Sequence, residues 1–392
     1  MKYVTRTVWI VSLISLFTDT ASEMLYPILP IYLKTIGFSI VLIGILEGIA
    51  EATAGISKGY FGALSDTSGR RVPFVQLGYA LSAIAKPMMA IFVFPLWILL
   101  ARTIDRFGKG IRTGPRDAIL SDEATVETKG KVFGFHRSMD TLGAVIGPSF
   151  ALVYLYYHPL AYKILFYIAF IPGLMAVLVS FYLKDKNRTE RKPKVSTPFY
   201  SFLKYWKRSP SEYRKVVVGL LAFALFNSSD IFLLLQAKQS GLEDTMVLGV
   251  YIFYNLIYAL FAFPMGIIAD KVGLKVIFIF GLALYSVVYF GMSVNTNLFF
   301  FYGLFFLYGI YASATEGISK AWISNIIDKK DTATAIGTYS GLQSISSLFA
   351  SSLAGLIWFE FGAMTLFIAS AIATLFVLFY FMAVTQKTVS NS

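Results

Sequence analysis

Val276-Ile-Phe-Ile-Phe-Gly-Leu-Ala-Leu-Tyr-Ser-Val-Val-Tyr-Phe-Gly-Met292 carries no charge and shows no polar side at any helical register. At about 100° per residue, a helix that faces water on one side gathers its polar residues there. Leu298 to Tyr311 lacks such a face as well. A hydrocarbon core about 30 Å thick takes roughly 20 helical residues to cross, and both runs fit that need. Working outward, apolar runs recur near residues 7–34, 40–64, 72–93, 95–120, 131–157 and 161–183. A second set lies near 214–237, 245–269, 274–293, 297–325, 333–358 and 362–385. The expected fold class is therefore an all-α membrane protein with about twelve spans. A sheet with an open edge has no place in lipid, and the alternation of a barrel is missing.

Composition agrees. Of 392 residues, 57% are hydrophobic, 17% aromatic and 14% charged, and the mean hydropathy is +0.67. A soluble domain carries about a quarter charged residues to face water. The net charge of +12 points to nucleic acid only where basic residues share a folded polar face. Here most sit in loops between apolar runs, so no nucleic-acid partner is expected. There are no cysteines, which removes thiol chemistry and iron–sulfur clusters. His136 and His158 have no metal-ligand spacing, and no phosphate-binding glycine loop, Walker sequence or Ser/His/Asp arrangement occurs. No enzyme activity, cofactor or metal is expected. Lys2 and Arg6 before an apolar run resemble a signal peptide, with Thr20-Ala-Ser22 as its cleavage site. The run continues past Glu23 to Leu33, so a retained first helix is expected.

One long polar segment, Lys184 to Lys215, divides the two sets. Lys184, Lys186, Arg188, Arg191, Lys192, Lys194, Lys204, Lys207, Arg208, Arg214 and Lys215 outnumber Asp185, Glu190 and Glu212. Basic loops stay in the cytoplasm. Arg70 and Arg71, Lys129 and Lys131, and Lys271 and Lys275 follow spans two, four and eight. Both termini are expected there too, with the basic linker lying on anionic membrane lipid. The expected organisation is a bundle over 1–184, a linker over 185–213 and a bundle over 214–392. Gly62-Ala-Leu-Ser-Asp66-Thr-Ser-Gly69 at the end of span two is repeated as Gly266-Ile-Ile-Ala-Asp270-Lys-Val-Gly273 at the end of span eight. The same offset sets Glu51 opposite Asn255. Two related halves imply pseudo-two-fold symmetry and a solute path near the midplane.

Gly62, Asp66, Gly69, Arg70 and Arg71, placed at the second loop of such a chain, resemble the signature of the major facilitator superfamily. Thr67 departs from it, since that position is usually basic. The resemblance covers essentially the whole length and implies a secondary transporter of two six-helix bundles, acting as a monomer. It implies that Asp66 faces the start of helix eleven, near Thr332 to Ala335, and helps hold one conformation closed. A carboxylate at a helix N-terminus gains about 0.3–1 kcal/mol. The family's helix-four arginine is either Arg102, by distance from the loop, or Arg106, by spacing to Gly110. Gly143, Gly147 and Pro148 resemble the helix-five signature of drug/proton antiporters, or serve close helix packing alone. The block Asp105-Arg-Phe-Gly-Lys-Gly-Ile-Arg-Thr-Gly-Pro-Arg-Asp117 is similar to prokaryotic members, which implies an inner (plasma) membrane.

Charges inside the spans are the functional candidates, because each ionised residue at the bilayer centre costs roughly 2.5–3.5 kcal/mol. Asp19 and Glu23 share a face of span one, Glu47 and Glu51 a face of span two, and Glu316 and Lys320 a face of span ten. His136, Arg137 and Asp140 lie together in span five. Arg137–Asp140 and Glu316–Lys320 are pairs that mere charge balance also explains. Arg102, Asp105, Arg106, Lys109, Arg112 and Arg116 fall within an arc of roughly 120° on span four. Lys86, before Pro87, has no evident partner and is expected to snorkel to an edge.

These residues set the expected site. Asp19, Glu23 and Asp140 handle protons. Arg102, Arg106, Lys109, His136, Arg137, Glu51, Asn227, Asn255, Glu316 and Lys320 contact the solute, and Asp230, Gln236 and Gln343 add hydrogen bonds. Gly62, Asp66, Gly69, Arg70, Arg71, Gly143, Gly147 and Pro148 serve the conformational change. The excess of positive charge on span four suits an anionic or zwitterionic solute, and the helix-five signature slightly favours export. The open alternatives are a multidrug or cation antiporter, a sodium-coupled or facilitative carrier, and, in another class, a lipid scramblase or a sensor.

Overall fold

Where each helix starts and stops follows from its first and last residues. Thr5 opens α1 (Arg6–Leu25) by accepting from the Val8 amide at 3.3 Å. Proline stands in the first turn of α2 (Leu29–Thr35), of α4 (Val72–Ile91) and of α5 (Pro95–Asp122), where its missing N–H is no loss. Ser39 opens α3 (Ile40–Ser68), accepting from Leu42 at 3.2 Å. That helix ends on Gly69 at φ 70°, a left-handed cap that suits glycine. The chain continues through α6 (Lys129–Tyr157), α7 (Tyr162–Ser180), α8 (Ser201–Arg208) and α9 (Ser211–Ala224). Then come α10 (Ile231–Gln239), α11 (Asp244–Val272), α12 (Leu274–Val294), α13 (Leu298–Asn325) and α14 (Thr332–Ala383). The computed structural model describes residues 4–186, 201–295 and 297–383. Of the expected basic linker, Arg188, Glu190, Arg191, Lys192 and Lys194 lie outside the described residues.

Every expected span is helical, and the described residues contain no strand. The first span is α1 with α2, interrupted at Tyr26-Pro27-Ile28, and the seventh is α9 with α10, interrupted between Ala224 and Ile231. The eleventh and twelfth run together as α14, where the backbone leaves the helix at Gly362 (φ 83°, ψ 164°). Among the described residues, seven stretches qualify as membrane helices by length and hydropathy alone; α3, α5, α9, α10 and α13 are not among them.

The chain forms two compact units. The first comprises Met1–Glu123, Met139–Lys207 and Asp328–Ser344. Within it α5 packs on α3 and α4, and α7 packs on α1 and α4. Small residues set these distances. Gly78 and Gly108 bring α4 and α5 together so closely that a Cβ on either would lie 2.6 Å from the other's carbonyl oxygen. Gly143 and Gly147 of α6 sit on α1, where added Cβ atoms would fall 2.5 Å from the carbonyl oxygens of Leu16 and Thr20. The second unit comprises Ala124–Ser138, Arg208–Ile327 and Ile345–Ser392. There α13 packs on α11 and α12, with Gly309 on the Tyr254 carbonyl and Gly281 on Thr315.

The packing separates two helix glycines that look alike in sequence. A Cβ at Gly143 meets backbone at 2.5 Å, whereas a Cβ at Gly303 meets nothing within 4 Å. Overpacking costs about 1–3 kcal/mol, while an unobstructed Gly→Ala in a helix gains roughly 0.5–1 kcal/mol. Gly143→Ala is expected to lower the thermal midpoint of the purified protein by several degrees, and Gly303→Ala to leave it level or raise it. Equal midpoints for the two variants would refute the packing account.

Candidate functional site

In the first unit α5 carries the cations, and the neighbouring helices meet them. The Arg102 guanidinium grips Glu47 of α3 in two-pronged fashion, Nε to Oε1 at 2.7 Å and Nη2 to Oε2 at 2.9 Å. Its remaining nitrogen donates to Asp105 at 3.3 Å. One turn on, Arg106 Nε lies 3.0 Å from Glu51. Arg112 donates to Ser82 Oγ at 2.6 Å and stacks over the Tyr79 ring at 4.6 Å. Arg116 pairs with Asp117 at 2.9 Å. Such planar two-pronged contacts suit arginine better than lysine.

Two expectations change here. Lys86 does not reach an edge. It is buried in α4, pairs with Asp105 at 3.4 Å and donates to the Ser82 carbonyl at 3.1 Å. A buried ammonium is tolerable only with such partners. Arg102 and Arg106 form their salt bridges with Glu47 and Glu51 of span two, which adds Glu47 to the expected site. The signal was present in the spacing: Glu47 and Glu51 are four apart, and so are Arg102 and Arg106. Two adjacent helices with matching four-residue ladders bond rung to rung.

What remains is the pair left open by this arrangement. Among the described residues, the Lys109 ammonium makes no salt bridge and no hydrogen bond, and it is exposed. The carboxylate of Asp19 likewise has no direct partner. The charges acting on Asp19 are, in order, those of Asp140, Glu23, Lys109 and Arg112. Gly143 explains how: its bare Cα lets α6 approach α1 beside the Asp19 Cβ, one turn from Asp140. Glu51 keeps 40% of its side chain accessible and Glu47 32%, against 9% for both Arg102 and Asp105. The network thus runs from a sealed part at Lys86, Asp105 and Arg102 to an accessible part at Glu51 and Lys109. Glu47, Glu51, Asp105 and Asp117 offset Arg102, Arg106, Lys86 and Arg116, which leaves Lys109 and Arg112 as the α5 cations without a salt bridge among the described residues.

The loop signature is a helix-capping device. Asp66 Oδ2 accepts from the Thr334 amide at 2.7 Å and from its hydroxyl at 2.9 Å, at the first turn of α14. Oδ1 accepts from Arg71 at 3.0 Å. Arg71 is buried and also bonds Asp122. Gly62 is small because Ala333 lies on it: a Cβ would stand 2.3 Å from that carbonyl. Arg70 is exposed. The repeat does the same in the second unit. Asp270 accepts from the Gly130 amide at 2.7 Å and the Lys131 amide at 2.9 Å, at the start of α6. Pro148 lies inside α6, one residue beyond Gly147.

Elsewhere in the second unit, the salt bridge to Glu316 comes from Arg137 at 3.5 Å. This contact joins α6 to α13, across the two short-range groupings read from the sequence, Arg137–Asp140 and Glu316–Lys320. His136 and Lys320 are buried. Asn255 is buried and spends its amide on the Tyr251 carbonyl of its own helix at 3.0 Å, so it does not mirror Glu51. Asn227 donates to the Tyr311 hydroxyl at 3.1 Å, and Gln236 to the Met292 carbonyl at 3.5 Å. Asp230 accepts from the hydroxyls of Tyr254 and Tyr308, each at 2.5 Å. Those tyrosines went unnoticed in the sequence, lost among 24 tyrosines and 36 phenylalanines.

Described residues that are helical throughout their apolar spans, with ionised side chains paired inside them, mark a multi-pass membrane protein. A sequence profile of the Major Facilitator Superfamily matches residues 11–253 and 233–392, and the chain belongs to that family; it is a transporter, not an enzyme. An uncharacterised MFS-type transporter of Methanocaldococcus jannaschii is 31% identical over 378 residues, covering 95% of this chain and 93% of that one. The staphyloferrin B transporter of Staphylococcus aureus is 25% identical, over 88% of this chain and 84% of the relative. Among solved structures, the human organic anion transporter MFSD10 superposes with a TM-score of 0.79 at 18% identity, covering 96% and 99% of the two chains. FucP in its outward conformation gives 0.79 at 11% identity, covering 98% and 100%.

The Asp66 cap ties α3 to α14, so weakening it should loosen that junction. Because the chain has no native cysteine, a single Ala335→Cys reporter suffices. Asp66→Asn is expected to raise maleimide labelling of that buried position several-fold. Unchanged labelling would mean the cap does not hold the helices together.

Proposed function

We propose that this transporter works by alternating access, driven by protons, and moves a small anionic or zwitterionic solute across a prokaryotic inner membrane. Two six-helix halves, 1–184 and 214–392, move about the linker 185–213, with both termini in the cytoplasm. The observation that carries this reading is the exposed Lys109 ammonium. All the other cations named along α5 have a salt bridge, a hydrogen bond or an aromatic ring as partner, while Lys109 is exposed with its ammonium uncommitted. An uncommitted ammonium is a docking point for the anionic group of a solute.

Asp19 supplies the coupling. Its carboxylate lies beside those of Asp140 and Glu23 as well as Lys109 and Arg112. Neighbouring carboxylates resist simultaneous ionisation, whereas a nearby cation favours it. Binding an anion to Lys109 removes part of the cationic field from Asp19 and so favours protonation there. Proton and anion then enter the site together, or exchange through it, according to which conformation holds them. The helix-five glycines Gly143 and Gly147, which set the α1–α6 distance, resemble those of proton antiporters, and export is favoured on that ground. The Asp66 cap, with Asp270 as its repeat, holds one of the two states.

The test uses vesicles loaded with a pH dye and a panel of citrate, succinate, glutamate, glycine betaine, a hexose and ethidium. A solute that is carried should start proton movement in the wild-type protein. Asp19→Asn should reduce that movement at least tenfold while leaving solute exchange. Lys109→Gln should raise the KM for anionic members of the panel by about tenfold and leave the dye response to a plain pH jump unchanged. If Asp19→Asn still moves protons with solute, coupling lies elsewhere. If ethidium alone starts proton movement, the anion assignment is wrong.

A further inference from the structure

The break in the seventh span holds a carboxylate that the charge network of the first unit does not touch. Asp230 occupies the N-cap position of α10, yet its side chain makes no capping bond there. It turns instead to α11 and α13, where Tyr254 and Tyr308 each place a hydroxyl 2.5 Å from a different carboxylate oxygen. We propose that Asp230, with Tyr254 and Tyr308, is a cation subsite that takes the ammonium group of an organic solute. The proposal rests on the reading that the chain carries a small solute, and extends it to the solute's positive end.

Four features of the second unit point the same way. First, Asp230 makes no salt bridge among the described residues, and the other charge acting on it is the carboxylate of Glu316, itself taken by Arg137. A carboxylate inside a membrane span without a counter-ion calls for one from elsewhere. Second, Asp230 is only partly buried. Third, its walls are aromatic: the rings of Tyr254 and Tyr308 lie 5.4 Å apart, Tyr308 and Tyr311 5.2 Å, and Tyr311 and Tyr285 5.0 Å. Ring faces attract organic cations and disfavour anions. Fourth, the break leaves oxygen atoms unused. Asn227 Oδ1 and Ser228 Oγ are buried without a hydrogen-bond partner, and Ser228 is only 4% exposed.

The donor and acceptor balance selects among ligands. The two tyrosine hydroxyls are spent on the carboxylate, so an anion finds no donor there. An ammonium group brings up to three N–H donors, which the remaining lone pairs of Asp230 can accept. The aromatic lining distinguishes an organic ammonium from a hydrated alkali ion.

The test is a thermal-shift titration of the full chain in lipid nanodiscs, with butylammonium chloride as probe and sodium chloride at equal ionic strength as reference. The wild-type protein should show a saturable stabilisation by butylammonium. Asp230→Asn should weaken its apparent affinity at least tenfold. Tyr308→Phe, which keeps the ring and removes the hydroxyl, should weaken it by a few-fold. The thermal midpoint without probe reports whether each variant is folded, and Tyr308→Phe carries the test should Asp230→Asn fail to fold. No saturable shift over sodium chloride, an equal shift in Asp230→Asn, or an Asp230-dependent shift with sodium alone would each overturn the proposal. Asp19→Asn should bind butylammonium normally, so a failure of proton coupling is read separately from a failure of this site.

Discussion

An ion in hydrocarbon must be met by an opposite ion or by water, and this constraint arranges the first unit. Each unmet charge at mid-membrane costs roughly 2.5–3.5 kcal/mol, and α5 alone brings Arg102, Arg106, Lys109, Arg112 and Arg116. The glycines of the same helix make compensation possible. Gly108 draws α4 in, so that Lys86 and Ser82 reach Asp105 and Arg112. Gly110 draws α3 in through Ser57, on the helix that brings Glu47 and Glu51 to the arginines. The alternation of glycine with cation in Gly108-Lys-Gly110 is thus one device, in which the small residues set the distance over which the charged ones must reach.

Compensation is also graded, and the gradation separates scaffold from site. Replacing a buried ion pair by well-packed apolar residues is often neutral, so such a pair is weak evidence of function. Arg102, Glu47, Asp105 and Lys86 meet one another through salt bridges and balance in charge. Lys109 and Asp19 do not, and their neighbours Glu51 and Glu23 keep accessible surface. A transporter needs groups whose partner changes between states, which requires that no partner in one state be bound too well. On this physical ground the proposed function places docking and coupling at the incompletely met charges, with the paired ones as their frame.

Much of this was legible in the sequence, for reasons that differ by element. The spans were legible because hydrocarbon thickness fixes helix length, and proline and glycine mark the ends: Gly69 caps α3, and Pro73 and Pro95 open α4 and α5. The charged positions were legible because charge is rare in lipid. Their partners were not. Lys86 looked alone, since Asp105 is close only once Gly78 and Gly108 have closed α4 on α5. The contact of Glu316 with Arg137 was not legible, because the two lie far apart in sequence. Asn255 matched Glu51 by register, yet an amide can be satisfied by its own backbone at Tyr251, as a lone carboxylate cannot. Tyr254 and Tyr308 were invisible for the opposite reason, because tyrosine is common here and only position makes these two distinctive.

The seventh span shows how a break in a helix becomes useful. Backbone that leaves a helix at membrane depth must be satisfied by protein or water. Here the Tyr285 hydroxyl donates to the Phe226 carbonyl at 2.9 Å, and Ser351 Oγ accepts from the Ser229 amide at 3.2 Å. With the main chain satisfied by side chains from α12 and α14, Asp230 is not needed as a cap. Its carboxylate turns away from its own helix and towards α11 and α13. The interruption lets one unit of an apolar chain hold a carboxylate that makes no salt bridge among the described residues and is held by two tyrosine hydroxyls.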